Sequence, residues 1–411
     1  MKQIEGGICA AAGIKANGVH CGIRKNTQKK DLTLIVSEVP ASAAAVYTTN
    51  LVKGAPLTVT KQHIANGTAQ AIICNSGNAN TCNANGIEIA EQMSVLCSEE
   101  LAKAGISINP EDVVVASTGV IGQPLSIEPI AQGLPSLVAG LSSSREAETS
   151  AAEGIMTTDT IKKEIALEFE LDGVTCHLGG IAKGSGMIHP NMATMLVFLT
   201  SDVAISPEML QKALSNDVTK TFNMLSVDGD TSTNDMVSIL ANGLAHNPRI
   251  ETENDAYLTF ARALNTVTVW LCRTIAGDGE GATKLLECIV TEAADEATAK
   301  TVAKSIITSS LTKAAMFGAD ANWGRILCAI GYSGAQVDVH KVNVSFRSKA
   351  GTIAVCENGS GIPFSEELAK TILLEDEIDI LVSLNSGTAQ ASAWGCDLTY
   401  EYVKINGDYR T

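Results

Sequence analysis

Thr194 stands where a Gly-rich, Pro-containing loop, Lys183-Gly-Ser-Gly-Met-Ile-His-Pro-Asn-Met-Ala193, gives way to the apolar run Met195 to Leu199. A hydroxyl is a poor nucleophile at neutral pH and needs a base beside it. Opening the Ala193–Thr194 bond would create one, because the new α-amino group has a pKa of roughly 8, near the pH at which a general base is most effective. One residue would then carry both nucleophile and base. The same stretch also fits an ordinary turn, eased by Gly184 and Gly186, running into a buried strand, and periodicity by itself favours that plainer reading.

Other segments could complete such chemistry. Val113 to Gly122 is a strand entering a Gly-containing turn, Ser117-Thr118-Gly119, a geometry that can aim backbone N–H groups at an anionic oxygen; glycine turns after strands are also common for structural reasons. Gly154 to Thr160 is a dense hydroxyl cluster, fit to bind a polar substrate or to cap a turn. Lys183 is either a surface charge or a cation for an oxyanion or a carboxylate. Ala276-Gly-Asp-Gly-Glu-Gly-Ala-Thr-Lys284 lacks the Gly-Lys-Ser/Thr ending of a phosphate loop, and Asp278 and Glu280 would repel phosphate. A carboxylate in that loop suits an amino or ammonium group. Asp228 to Asp235 is a poor calcium loop, with Thr233 and Ile239 where Gly and Glu belong, and reads as a polar, hydrogen-bonded turn. The end of the chain, from Ala393, alternates like a strand and then becomes polar.

Taken together these motifs resemble the glutamate N-acetyltransferase family, also called ornithine acetyltransferase, of arginine biosynthesis. The resemblance is carried by Lys183 to Asp202, the Ser-Thr-Gly turn, Met156-Thr-Thr-Asp-Thr160, the Gly-Asp-Gly-Glu-Gly-Ala loop, Ser226 to Asp235, Asn75-Ser-Gly-Asn-Ala-Asn80 and Asp320-Ala-Asn-Trp-Gly-Arg325. It runs from about residue 10 to the end, with Ala321 and Gly407 as departures from the family's Pro and Ala. It implies autocleavage between Ala193 and Thr194, with Thr194 as nucleophile and Thr118 and Gly119 as oxyanion hole. Substrate would be held by Thr157 (or its neighbour Thr158), Lys183, Thr194, Glu280, Asn406 and Thr411. The implied reaction moves acetyl from N-acetylornithine to glutamate through an acetyl-Thr194 intermediate. No metal or cofactor is expected, and acetyl-CoA stays open as a further donor. An N-terminal-nucleophile aminopeptidase of related architecture and an inactive binding paralogue are the alternatives.

These residues need a scaffold. Strand-like Leu32–Val36, Ala69–Cys74 and Val113–Ala116 alternate with helix-like stretches over 86–104, from Ser206-Pro207 onward, and over 295–317, so the fold class is α/β, an α+β sandwich. Under the resemblance it is an autoprocessed N-terminal-nucleophile-type enzyme of two intertwined subunits, 1–193 and 194–411, with two copies of each in the assembly. No linker or repeat separates the halves, which should share a core. The 411 residues are 45% apolar and 18% charged, as in an ordinary globular protein. A net charge of −16 speaks against nucleic acid or anionic membrane as partner. Met1 to Gly22 lacks a signal pattern, no apolar run reaches the ~18 residues of a membrane span, and eleven scattered cysteines form no Cys-x-x-Cys pair. The expectation is a cytoplasmic enzyme with mostly buried thiols.

Overall fold

The apolar run after Thr194 becomes the strand Leu196–Ser201, and its neighbours explain its composition. Val197 and Leu199 enter one hydrophobic cluster, Leu196 and Phe198 another, so both faces of the strand are buried. A strand covered on both faces reads as a continuous apolar run, not as alternation. Burying Phe198 completely contributes roughly 1.5–3 kcal/mol.

In this computed structural model, residues 1–189 and 195–407 are described. Among them a nine-stranded sheet runs in the order Lys2–Ile4, Lys163–Leu171, Val174–Lys183, Leu196–Ser201, Met236–Ala241, Leu32–Tyr47, Thr68–Asn75 and Val113–Ser117, with Ile14–Val19 also paired to Leu32–Tyr47. Leu196–Ser201 is antiparallel to Val174–Lys183, Leu196 opposite Lys183, and parallel to Met236–Ala241, Leu196 opposite Met236. Two strands that follow position 194 are therefore inserted among strands that precede it. A seven-stranded sheet gathers Ser360–Gly361, Gly351–Glu357, Asn343–Ser348, Glu377–Ser383, Leu285–Ala293, Ala389–Cys396 and Leu225–Ser226. The helix Asp255–Gly277 packs on strands of both sheets, so the fold is mixed α/β.

Local chemistry sets several boundaries. The helix Pro207–Val218 opens at Ser206, whose hydroxyl accepts from the Met209 N–H at 3.2 Å, a cap contributing about 1 kcal/mol. Gly86–Lys103 stops where Gly105 takes φ +81° and Ile106 N–H returns to the Leu101 carbonyl. The single helix expected over 295–317 is two, Glu296–Thr308 and Ser310–Phe317. Ser309 is extended (φ −66°, ψ 112°) and its hydroxyl caps Thr312, so a local side-chain acceptor wins over helix continuation. The strand-like end is also shorter than expected. Ala389–Cys396 is a strand, but Tyr400–Asn406 is a helix. All eleven cysteines are free thiols, most of them buried. Among the described residues no helix is long and apolar enough to cross a membrane.

Candidate functional site

Six of the site residues expected from sequence, Thr118, Gly119, Thr157, Lys183, Glu280 and Asn406, line one cavity of about 130 Å³. Thr158 lines it as well, so both candidate threonines face the same space. Met195, peptide-bonded to Thr194, lines an adjoining hollow with Thr118, Lys183 and Asp235. Ala193, Thr194 and Thr411 lie outside the described residues.

The Ser117-Thr118-Gly119 turn is held by the Asn75–Asn80 segment. Asn75 Nδ2 donates to Ser117 Oγ at 2.7 Å, and its Oδ1 accepts from the N–H groups of Gly77 and Asn78. Asn234, from the polar loop after Asp228, donates to the carbonyls of Ala79 (2.5 Å) and Ser117 (2.9 Å). The Thr118 N–H donates to the Asn75 carbonyl at 2.9 Å. Among the described residues, the Thr118 hydroxyl and the Gly119 N–H make no hydrogen bond, so both remain as donors at this turn. Gly119 has φ +126°, and a Cβ there would lie 2.7 Å from the Gly77 carbonyl carbon, so a side chain is excluded on both counts.

Glu280 sits opposite. It is 7% exposed, accepts from Asn406 Nδ2 at 2.7 Å, and lies so close to Gly186 that a Cβ on that residue would be 2.3 Å from the carboxyl carbon. Gly186 thus makes room for the carboxylate. The C-terminal helix is anchored by Thr399 Oγ1 donating to the Gly281 carbonyl and by Tyr402 OH donating to Asp228, which also accepts from the N–H groups of Met187 and Ile188. Burial, then Asp228, pushes the Tyr402 phenol up, so it stays a donor.

Lys183 ends the strand Val174–Lys183, 8% exposed. Its ammonium makes no hydrogen bond among the described residues. Burial pulls it below its ordinary pKa; Asp159 and Asp235 pull upward, while Lys163 and Arg24 add to the fall. His189, in the loop before Thr194, shares a hydrogen bond with Ser226 Oγ at 3.0 Å, and burial, helped by Lys304, lowers it to about 4. It is neutral at pH 7.

Sequence reading passed over a buried ionic group beneath the cavity. Lys163 Nζ lies 2.6 Å from Asp159 Oδ1 and 2.5 Å from Asp278 Oδ2, with the lysine 0% exposed. Asp159 also accepts from the N–H groups of Thr157 (2.9 Å) and Gly184 (2.7 Å). Burial opposes its charge, but Lys163 and Lys183 outweigh that and hold its carboxyl down at about 2. Among the described residues no group of three or more His, Cys, Asp and Glu could hold a metal ion.

The mixed α/β scaffold gathers a hydroxyl, a backbone N–H, a buried cation and a buried carboxylate around one small cavity, the kinds of group that acyl transfer uses. The chain matches the ArgJ family over residues 15–411. It is 49% identical over 412 residues to the arginine biosynthesis bifunctional protein ArgJ of Caldanaerobacter subterraneus subsp. tengcongensis, covering 100% of both chains. The arginine biosynthesis bifunctional protein ArgJ 1 of Clostridium acetobutylicum is 50% identical over 398 residues, covering 97% of this chain and 96% of its own. A crystal structure of arginine biosynthesis bifunctional protein ArgJ from Bacillus halodurans is similar at TM-score 0.50 and 47% identity, covering 52% of this chain and 99% of that one. The chain belongs to the ArgJ family, and it is an acyltransferase of arginine biosynthesis.

Proposed function

We propose that the chain cuts itself between Ala193 and Thr194 and then transfers acetyl from N-acetylornithine to glutamate. In the first stage Thr194 Oγ attacks the Ala193 carbonyl carbon. The C–N bond breaks, the amine takes a proton, and water hydrolyses the ester to leave an Ala193 carboxylate and a free Thr194 amine. In the second, that amine accepts the Oγ proton while Oγ attacks the acetyl carbonyl. The Gly119 N–H and the Thr118 hydroxyl stabilise the oxyanion, and ornithine leaves with the proton. The α-amine of glutamate then attacks the acetyl ester and restores the hydroxyl, a ping-pong scheme.

Thr157, Lys183, Glu280, Asn406 and Thr411 hold the amino-acid parts of the substrates, Lys183 suiting a carboxylate and Glu280 an ammonium. The observation that carries the reading is the convergence of residues from five distant stretches on one cavity beside Met195. The Bacillus halodurans chain adds support: matched over nearly its whole length, it covers 52% of this chain, about the share of a fragment from Thr194 to the end. The enzyme works without a cofactor, in the cytoplasm, as two copies of each fragment.

Two bands on a denaturing gel, one with Thr194 at its N-terminus, and acetyl transfer dependent on glutamate are the expected results. Thr194→Ala should abolish both. An uncut but active Thr194→Ala chain defeats the scheme, and acetylornithine hydrolysis indifferent to glutamate would point to the aminopeptidase-like alternative.

A further inference from the structure

We infer that the buried Asp159–Lys163–Asp278 group is a positioning device that sets both the location and the charge of the substrate-binding side chains above it. The inference rests on the proposed acetyl transfer for its kinetic meaning, but not for its geometry. Three segments hang on these side chains. Asp159 receives the N–H of Thr157, the N–H of Gly184 next to Lys183, and Lys163 Nζ. Asp278 receives Lys163 Nζ together with the N–H and hydroxyl of Thr160, and its own carbonyl accepts from Ser185 Oγ at 2.7 Å. Glu280 N–H closes the circuit on the Ser185 carbonyl at 3.0 Å. One lysine thereby fixes the segments that carry Thr157, Lys183 and Glu280 relative to one another.

Charge balance gives the group a second task. Two carboxylates and one ammonium leave a buried excess of one negative charge, which the Lys183 ammonium offsets. An isolated buried charge is costly, and an opposite charge close by is what allows a buried lysine to stay protonated. The groups facing Lys183 are Asp159 and Asp235, which favour its charge, and Lys163 and Arg24, which oppose it; Glu280 shares its cavity and the Cys74 thiol senses its charge. Replacing Asp159 with Asn keeps a similar shape and removes one attraction while both repulsions remain. The Lys183 amine should then lose its proton at lower pH.

The test uses the full, self-processed enzyme. Lysine side-chain carbon resonances, with Lys183 assigned from its loss in Lys183→Met, follow the titration directly and need no activity. Asp159→Asn should lower the Lys183 midpoint by about one pH unit or more. It should also raise KM about tenfold with kcat held, because binding, not the chemical step, loses its support, and the alkaline rise of KM should begin at lower pH. An unchanged midpoint and KM overturn the inference. If the wild type titrates as expected yet transfers no acetyl, the proposed function fails while the titration still decides this point. Should Asp159→Asn not fold, the pair Asp159→Asn with Lys163→Met removes one charge of each sign; it still turns one of the two oxygens that accept from Thr157 and Gly184 into an N–H donor, and a wild-type KM there is equally fatal.

Discussion

Asn406 Nδ2 donates to Glu280 Oε2 at 2.7 Å, joining a helix near the end of the chain to the Gly-rich loop 126 residues earlier. Both partners line the cavity. The amide orients a carboxylate that is 7% exposed, and hydrogen bonds to charged groups contribute about 1.5–3 kcal/mol. Asn406→Ala should raise KM by about tenfold or more and leave self-cleavage intact. Parallel gels and initial-rate measurements check both; an unchanged KM would show that the contact is incidental.

Gly186→Ala tests the same carboxylate from the other side. The new methyl would overlap the end of the Glu280 side chain, which can rotate away at small cost to the fold. Expected are a Tm within a few degrees of wild type and a KM raised by about tenfold, the affinity lost when an ammonium group forfeits its ion-paired partner. A variant with normal KM would place Glu280 outside substrate binding.

Gly119→Ala is a harsher change, because φ +126° and the Gly77 backbone both oppose a side chain. The turn must move, carrying the Gly119 N–H with it. Removal of one oxyanion donor costs roughly 10²–10³ in kcat, and a loss of that order is expected in stopped-time acetyl-transfer assays on folded protein. Thr118→Val, which deletes the hydroxyl but keeps the N–H bonded to Asn75, should lower kcat by a similar order; if it does not, the Gly119 N–H acts alone.

Acid should weaken the fold in two separate windows. His189 is held at about 4, below its ordinary 6.5, so the unfolded chain takes up its proton first as pH falls. The stability tied to a neutral His189 is present in full above pH 6.5 and is lost between 6.5 and 4. Asp159, held at about 2 against 3.8, contributes stability that is lost only between 3.8 and 2. Thermal unfolding from pH 7.5 to 4.5 should show a falling Tm, and His189→Gln should flatten that slope; an unaltered slope assigns it to other groups.

Legibility in the sequence followed the scale of the interaction. The cavity residues were readable because their motifs resemble those of a known family; by composition alone Thr118 before Gly119 reads equally well as a structural turn, and only Glu280 among glycines already suits an ammonium group. Lys163 was not readable, since Ile161-Lys-Lys-Glu164 looks like a solvated run. Yet a signal was there: Lys163, Ile165, Leu167, Phe169 and Leu171 alternate along one strand, and the last four belong to the same buried cluster. Period-two counting from Phe169 backward places Lys163 indoors, while Lys162 is exposed. In sequence Asp278 reads as no more than an obstacle to phosphate, because its partner lies 115 residues away. The break at Ser309 escaped for a local reason: a helical apolar pattern continues through it, and the competing cap is a single hydroxyl.

The strand order has a consequence for stoichiometry. Leu196–Ser201 and Met236–Ala241 lie between Val174–Lys183 and Leu32–Tyr47, so a chain opened before Thr194 keeps backbone hydrogen bonds across both seams. Neither fragment can be lost or exchanged without tearing the sheet. Under the proposed cut the two products of one precursor would stay in a one-to-one ratio for the life of the molecule, and the cut would free the Thr194 nitrogen without creating a subunit that can diffuse away.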